Sequence, residues 1–174
     1  MIARDVMTPD PGSVTEHDSV QVAARLMREL HCGCLPVVED HRRKHIRGIV
    51  TDRDIALRAV APGKPLDTPV GEVMSAGVSC CRPDMRIEEV EDIMAERRVR
   101  RVPVVDDRGD CVGIIALADI ARAAGAGEAI DDREVARVLE RISEPMEEAR
   151  TDADVGVFPE RLAAAQPRME RQAE

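Results

Sequence analysis

The sequence predicts an α/β fold made of two copies of one strand–helix–strand–strand–helix unit. Three observations carry this. Landmarks of the first copy recur 67 positions later: Val6-Met7-Thr8 as Val73-Met74-Ser75, Val20 as Ile87, Met27 as Met94, and Leu35-Pro36-Val37-Val38 as Val102-Pro103-Val104-Val105. Beyond those strands the offset falls to 65, matching Gly48-Ile49-Val50-Thr51-Asp52-Arg53-Asp54 to Gly113-Ile114-Ile115-Ala116-Leu117-Ala118-Asp119, so the loop between is two residues shorter in the second copy. Within each copy, helical apolar spacing gives way to short apolar runs bounded by turn residues. A unit of this size buries too little core alone and packs against its copy.

In the first copy a short strand around Ser13-Val14-Thr15 leads to Asp18, which has the spacing to cap a helix with Gln21. Val20, Ala23, Ala24, Met27 and Leu30 then follow on one helical face, with Arg25, Arg28 and Glu29 on the other. Leu35-Pro36-Val37-Val38 reads as a strand, Glu39-Asp40-His41 as a turn, Ile46 to Val50 as the next strand, and Thr51 to about Val60 as a second helix. The second copy repeats this with Asp84 before its helix, Ile87, Val90, Ile93 and Met94 on the buried face, a turn at Asp107-Arg108-Gly109-Asp110, and a closing helix from Leu117 to Ala124. Ala61-Pro62-Gly63-Lys64-Pro65 interrupts any regular element and joins the copies. The expected organisation is repeat 1 over 1–65, repeat 2 over 66–125, a short helix within 126–146 around Val135, Val138, Leu139 and Ile142, and a disordered acidic tail over 147–174.

Composition narrows the functional classes. The 174 residues carry a net charge of -9 and one aromatic residue, Phe158, with no Trp or Tyr. An acidic chain without aromatic platforms is a poor partner for nucleic acid. No apolar run approaches the length needed to cross a bilayer, and Met1-Ile2-Ala3-Arg4-Asp5 lacks the apolar core of a signal peptide, so a cytoplasmic location is expected. Five cysteines as Cys32-x-Cys34, Cys80-Cys81 and Cys111 match neither a secreted disulfide framework nor a paired C-x-x-C zinc site. No nucleophile elbow, phosphate-binding loop or Ser/His/Asp pattern is present, and no enzyme activity is expected.

The h-P-V-V strand, the Gly-Ile-Val-Thr-x-x-Asp strand-to-helix turn and the initial Val-Met-Thr-Pro together resemble the cystathionine-β-synthase-type (CBS) repeat. Two in tandem resemble a CBS pair, or Bateman module, over roughly residues 1 to 125. The resemblance implies two repeats packed about a pseudo-twofold axis, two clefts that hold adenosine-containing ligands, and a homodimer. It implies a non-catalytic regulatory module responding to AMP, ADP or ATP, with S-adenosylmethionine and NAD also found in the family, no catalytic cofactor, and a regulated partner that the sequence does not name.

Thr51-Asp52-Arg53-Asp54 lies where a strand becomes a helix, a place suited to a phosphate; Thr51 and Asp54 also have the spacing of a capping box, which needs no ligand. In the family the matching Thr contacts phosphate and the matching Asp the ribose hydroxyls. Carried onto this chain, the resemblance implies a nucleotide cleft of Ile49, Thr51, Arg53 and Asp54 completed by Val78, Ser79, Val99, Arg100 and Arg101. It implies a second, degenerate cleft of Ile114, Ala116 and Asp119 with Pro11, Gly12 and Cys32-Gly33-Cys34, which lacks the hydroxyl and both arginines. Arg100 and Arg101 alternatively form a solvated face at a helix end. Other readings of the module are a constitutive interaction surface, or a thiol or metal sensor built on Cys32, Cys34 and His31; buried cysteine as a small hydrophobe argues against the sensor, and no metal ligands are assigned.

Overall fold

Each sheet of the molecule is completed by a strand from the other repeat. The computed structural model describes residues 1–125 together with residues 139 and 140, and both repeats lie in one compact unit. In chain order the elements are α1 (Ala3–Val6), β1 (Thr8–Pro9), β2 (Val14–Thr15), α2 (Val20–Glu29), β3 (Cys34–Val38), β4 (Ile46–Thr51), α3 (Asp52–Ile55), β5 (Ser75–Ala76), α4 (Ile87–Arg97), β6 (Arg101–Val105), β7 (Cys111–Ala116) and α5 (Leu117–Gly125). A π-turn over Ala56–Val60 continues α3, and a 3₁₀ turn over Val70–Glu72 precedes β5. The expected helix of 126–146 and tail of 147–174 lie outside the described residues, apart from residues 139 and 140.

The first sheet runs β2-β3-β4-β5 and the second β1-β7-β6. β1 of the first repeat pairs antiparallel with β7, Thr8 opposite Ile114, while β5 of the second repeat pairs with β4, Ile49 opposite Ser75. The parallel β2–β3 ladder, Val14 opposite Val37, has its counterpart in the single bridge of Cys81 to Val104. Chain reversal after α2 and α4 is the same in both copies. His31 and Arg98 take up left-handed conformations at φ 51° and 52°, and the amides of Cys32 and Val99 bond back to the carbonyls of Met27 and Met94 at 2.9 Å.

The cores follow the exchange. Val70 and Val73 are fully buried in the first repeat's core with Val14, Val20, Ala23, Leu35, Val37 and Val50, and Met74 packs against them. Ala3 is fully buried in the second core with Ile87, Val90, Met94, Val102, Val104, Ile115 and Ile120, joined by Met1, Val6 and Met7. The amides of Ala3 and Arg4 donate to the carbonyls of Met85 and Pro83, at 2.8 and 2.9 Å, and hold the N-terminal turn on the second repeat. A second seam joins the two hairpin tips. Cys111 N donates to Lys44 O at 2.7 Å, Ile46 N to Gly109 O at 3.1 Å, and Nδ1 of His45 lies 3.1 Å from the Arg108 carbonyl.

Three local expectations are corrected. Asp18 does not cap α2: its Oδ2 accepts from the Thr15 amide at 2.6 Å and hydroxyl at 2.9 Å, closing the turn after β2, and Ser19 caps the helix by accepting from Val22 N at 3.2 Å. The second helix of the first repeat is α-helical only to Ile55, after which the Ala61 amide bonds to Ala56 in the five-residue spacing of a π-turn. Leu30, expected on the buried face, is the C-cap residue of α2 and 47% exposed, because the helix ends before its side chain can turn inward.

Gly48 and Gly113 occupy equivalent places where the exchanged strands cross. A methyl group on Gly48 would run into the Ser75 carbonyl oxygen, and one on Gly113 into the Met7 sulfur. The first obstacle is backbone, the second the end of a flexible side chain. Gly48→Ala is therefore expected to cost about 1–3 kcal/mol of stability, and Gly113→Ala less, since a thioether can swing aside. Urea titration of the two variants tests this; equal losses would mean that Met7 is as immobile as the Ser75 backbone.

Candidate functional site

β3 and β6 bring equivalent residues to the boundary between the repeats. Cys34 opens β3 opposite Thr51, and Arg101 opens β6 opposite Ala116. Each hairpin is closed in the same way, by Asp52 N donating to Gly33 O at 3.1 Å and Leu117 N to Arg100 O at 2.9 Å. A cavity of about 470 Å³ opens here, between Asp10-Pro11-Gly12 and residues 30–35 of the first repeat and Arg101, Ile114, Ala116, Ala118, Asp119 and Arg122 of the second. Its volume falls within the range of small-ligand sites.

The two strand-to-helix turns use their aspartates alike. Asp119 Oδ2 accepts from Ala116 N at 2.7 Å and its Oδ1 is paired with Arg122. Asp54 Oδ2 accepts from the Thr51 amide at 3.0 Å and hydroxyl at 2.7 Å, Thr51 Oγ1 accepts from Asp54 N at 3.1 Å, and Asp54 Oδ1 lies 3.3 Å from Arg58. Thr51 and Asp54 thus form a closed capping box. Arg58 Nη1 also donates to the carbonyls of Val73 and Met74, at 2.8 and 3.1 Å, which ties Asp54 to the exchanged segment before β5.

Arg101, grouped from the sequence with Asp54, lines the cavity that contains Asp119. The register explains this: Arg101 lies directly opposite Ala116, three residues before Asp119 on the same hairpin. The Asp119 side therefore does not lack an arginine. Ile114, Ala116, Asp119 and Cys34 line this cavity, together with His31, Cys32, Pro11 and Gly12. Thr51 and Asp54 are absent from its lining. Ile49 is half-buried on β4, Val78 and Ser79 are half-buried beyond β5, and Arg53 and Arg100 are exposed. Val99 packs against the second core. Sequence reasoning missed Thr8, Asp10, Leu30, Leu35, Ala118 and Arg122 as lining residues; only the three-residue spacing of Asp119 and Arg122 signalled one of them.

His31, Cys32 and Cys34 share the cavity wall, but among the described residues no group of three or more His, Cys, Asp or Glu side chains is placed to hold a metal ion. Cys32 Sγ donates to the Cys34 carbonyl at 3.3 Å. Burial pushes the Cys34 thiol up to about 11, against the nearby Arg101 guanidinium, which lowers it; the Cys32 and Asp52 groups add to the rise. Burial likewise raises Cys111 to about 11 and Cys81 to about 12. Among the described residues no helix is long and apolar enough to cross a membrane.

Two packed α/β repeats with a ligand-sized cavity at their boundary define a tandem-repeat binding module. The CBS domain family model matches residues 3–60 and 70–126, and the chain belongs to that family. Among curated relatives, the CBS domain-containing protein YhcV of Bacillus subtilis is 42% identical over 118 residues, 68% of this chain and 81% of its own. Solved structures share the fold, among them the following three. Hypoxic Response Protein I with two coordinated zinc ions is 36% identical, with a TM-score of 0.64, covering 70% of this chain and 98% of its own. The CBS domain pair of MJ0100 in complex with 5-methylthioadenosine and S-adenosyl-L-methionine is 30% identical, with a TM-score of 0.63, covering 70% and 98%. CBSX2 in complex with AMP is 28% identical, with a TM-score of 0.63, covering 72% and 96%.

The thiolate is the reactive form of cysteine, so a raised pKa and burial together protect a thiol. At about pH 7.5 the folded protein is expected to alkylate first at half-buried Cys32, with Cys34, Cys81 and Cys111 protected until denaturant is added. Time-resolved mass spectrometry after iodoacetamide checks the order; early labelling of Cys34 would contradict the burial of this wall.

Proposed function

We propose that this protein is a non-catalytic regulatory module that binds an adenosine-containing ligand in the Asp119 cavity and signals through the surface of a homodimer. The single observation that carries the reading is the cavity itself: it joins a carboxylate at the start of α5 to a guanidinium at the start of β6, against a wall supplied by the other repeat. A carboxylate at a strand-to-helix turn accepts the two hydroxyls of a ribose, and a guanidinium suits a phosphate or carboxylate. Relatives whose structures hold AMP, 5-methylthioadenosine and S-adenosyl-L-methionine support the same ligand class. AMP, ADP and ATP are the first compounds to try. The Thr51–Asp54 turn is the second candidate position, and there a ligand would have to displace the capping box and the Arg58 contact.

A ligand that spans both repeats binds the folded state alone, and at a hundredfold excess over its dissociation constant stabilises it by about 2.7 kcal/mol. Thermal unfolding with AMP, ADP, ATP and S-adenosylmethionine is expected to show this gain. Asp119→Ala should remove most of it, because the ribose hydroxyls lose acceptors worth about 1–3 kcal/mol. Asp54→Ala should lower the unliganded stability by about 1 kcal/mol through loss of the carboxylate's half of the capping box and of the Arg58 contact, yet retain ligand binding. The opposite pattern, binding lost with Asp54→Ala and kept with Asp119→Ala, would move the site to the Thr51 turn.

Arg101→Ala should weaken AMP more than adenosine, and added salt should mimic the substitution. Isothermal titration of the two compounds reads the difference; equal weakening would mean that the arginine does not meet phosphate. For the dimer, the supporting feature is a second apolar groove, of about 360 Å³, between α2 and the turn after α3, where Val60 and Leu66 are 64% and 60% exposed. Light scattering that finds a monomer at micromolar concentration would remove the proposed route of signalling.

A further inference from the structure

We infer that Asp52 sets the charge class of the ligand, making the cavity selective for a nucleotide with one phosphate over those with two or three. This rests on the assignment of the Asp119 cavity to an adenosine ligand.

The cavity wall carries two arginines, and they are not equivalent. Arg122 is paired with Asp119, whereas the Arg101 side chain has no hydrogen-bond or ion-pair partner among the described residues. Lys44 is paired with Asp10 of the cavity wall. One guanidinium is thus left to meet an incoming anion.

A carboxylate, that of Asp52, stands near it across Gly33. A methyl group on Gly33 would lie 2.9 Å from Asp52 Oδ2 and 3.4 Å from Arg101 Nη2, so both charges border the space that the missing side chain leaves open. Asp52 and Arg101 also act with opposite sign on the same thiol, Cys34. Asp52 is fixed in this place by two backbone contacts. Its own amide donates to the Gly33 carbonyl at 3.1 Å, and its Oδ1 accepts from the Arg53 amide at 2.7 Å. The carboxylate therefore stands beside Arg101 without forming an ion pair with it. It leaves the guanidinium's donors open and subtracts from its positive potential.

A first phosphate that takes Arg101 gains a charge-assisted contact. Further phosphates reaching past Gly33 meet the Asp52 carboxylate, and like charges within roughly 4–6 Å disfavour one another. No second unpaired lysine or arginine lines the described wall to offset this. The device belongs to one side of the molecule only, since the position equivalent to Asp52 in the second repeat is Leu117, which is buried. Gly33 is part of it, because a side chain there would press on the Asp52 carboxylate, whose Oδ2 would lie 2.9 Å from the new carbon.

The test is isothermal titration of the full chain with adenosine, AMP, ADP and ATP in magnesium-free, low-salt buffer, on the wild type, Asp52→Asn and Asp52→Ser. Both variants remove the charge and keep an oxygen acceptor at the start of α3. The wild type is expected to bind AMP about tenfold more tightly than ATP, and both variants to narrow that ratio about fivefold while leaving adenosine within about twofold, an effect that shrinks as salt screens exposed Asp52. ATP binding as tightly as AMP in the wild type, an unchanged ratio in both variants, or equal changes for adenosine and ATP would overturn the inference while Asp119-dependent binding of adenosine leaves the site assignment standing. Failure of all four compounds to bind the wild type would overturn the site assignment and the inference with it.

Discussion

The reciprocal exchange of β1 and β5 is the constraint on which the rest of the molecule depends. Each is only two residues long, yet each completes the other repeat's sheet, and the residues before it fill the other repeat's core: Ala3, Val6 and Met7 in one direction, Val70, Val73 and Met74 in the other. A strand pair so short contributes little by its own hydrogen bonds. Its stabilising effect comes from the apolar residues that precede it, several of them fully removed from water, and burial of such side chains is worth about 1.5–3 kcal/mol each. Neither repeat keeps a complete core if the other unfolds, so the pair is expected to unfold as one unit.

The same exchange places the cavity. After β1 the chain must return from the second repeat's sheet to begin β2 in the first, and it does so through Asp10-Pro11-Gly12, with Asp10 in a left-handed conformation at φ 46°. Gly77, the equivalent residue after β5, stands at φ 63°. The returning segment becomes one wall, the end of α2 and the start of β3 another, and the β6–β7 hairpin the third. The wall is therefore made of backbone that crosses between repeats, and what occupies the cavity bears on their junction.

The two sides of the pseudo-symmetric molecule differ in electrostatics more than in backbone. Asp54 shares its oxygens among a hydroxyl, an amide and an arginine that also holds the exchanged segment, whereas Asp119 has an amide and an arginine on the cavity wall. Position 101 carries a guanidinium where its equivalent, Cys34, carries a buried thiol. One difference in the duplicated pattern thereby gives the boundary a guanidinium that the pseudo-symmetric position lacks.

The repeat, the α/β class and the order of elements within each copy were legible in the sequence, because periodicity, the recurring Pro-Val-Val strands and the Gly-Ile turns are local patterns repeated at fixed offsets. So was the list of residues near the site: Arg101, Ile114, Ala116, Asp119 and Cys34 are all at the boundary. The last four were also grouped as they stand, but Arg101 was not. Which aspartate faces Arg101 depends on the β6–β7 register and on packing between repeats, and no spacing along the chain encodes either. The strand exchange was hidden for the same reason. Met7 and Met74 look alike whether they join their own sheet or the neighbour's, and only the close approach of backbone at Gly48 and of sulfur at Gly113 decides between them. The sequence by itself determined the elements and the chemistry available; tertiary structure decided which charges meet, because distance between groups far apart in the chain is set by packing alone.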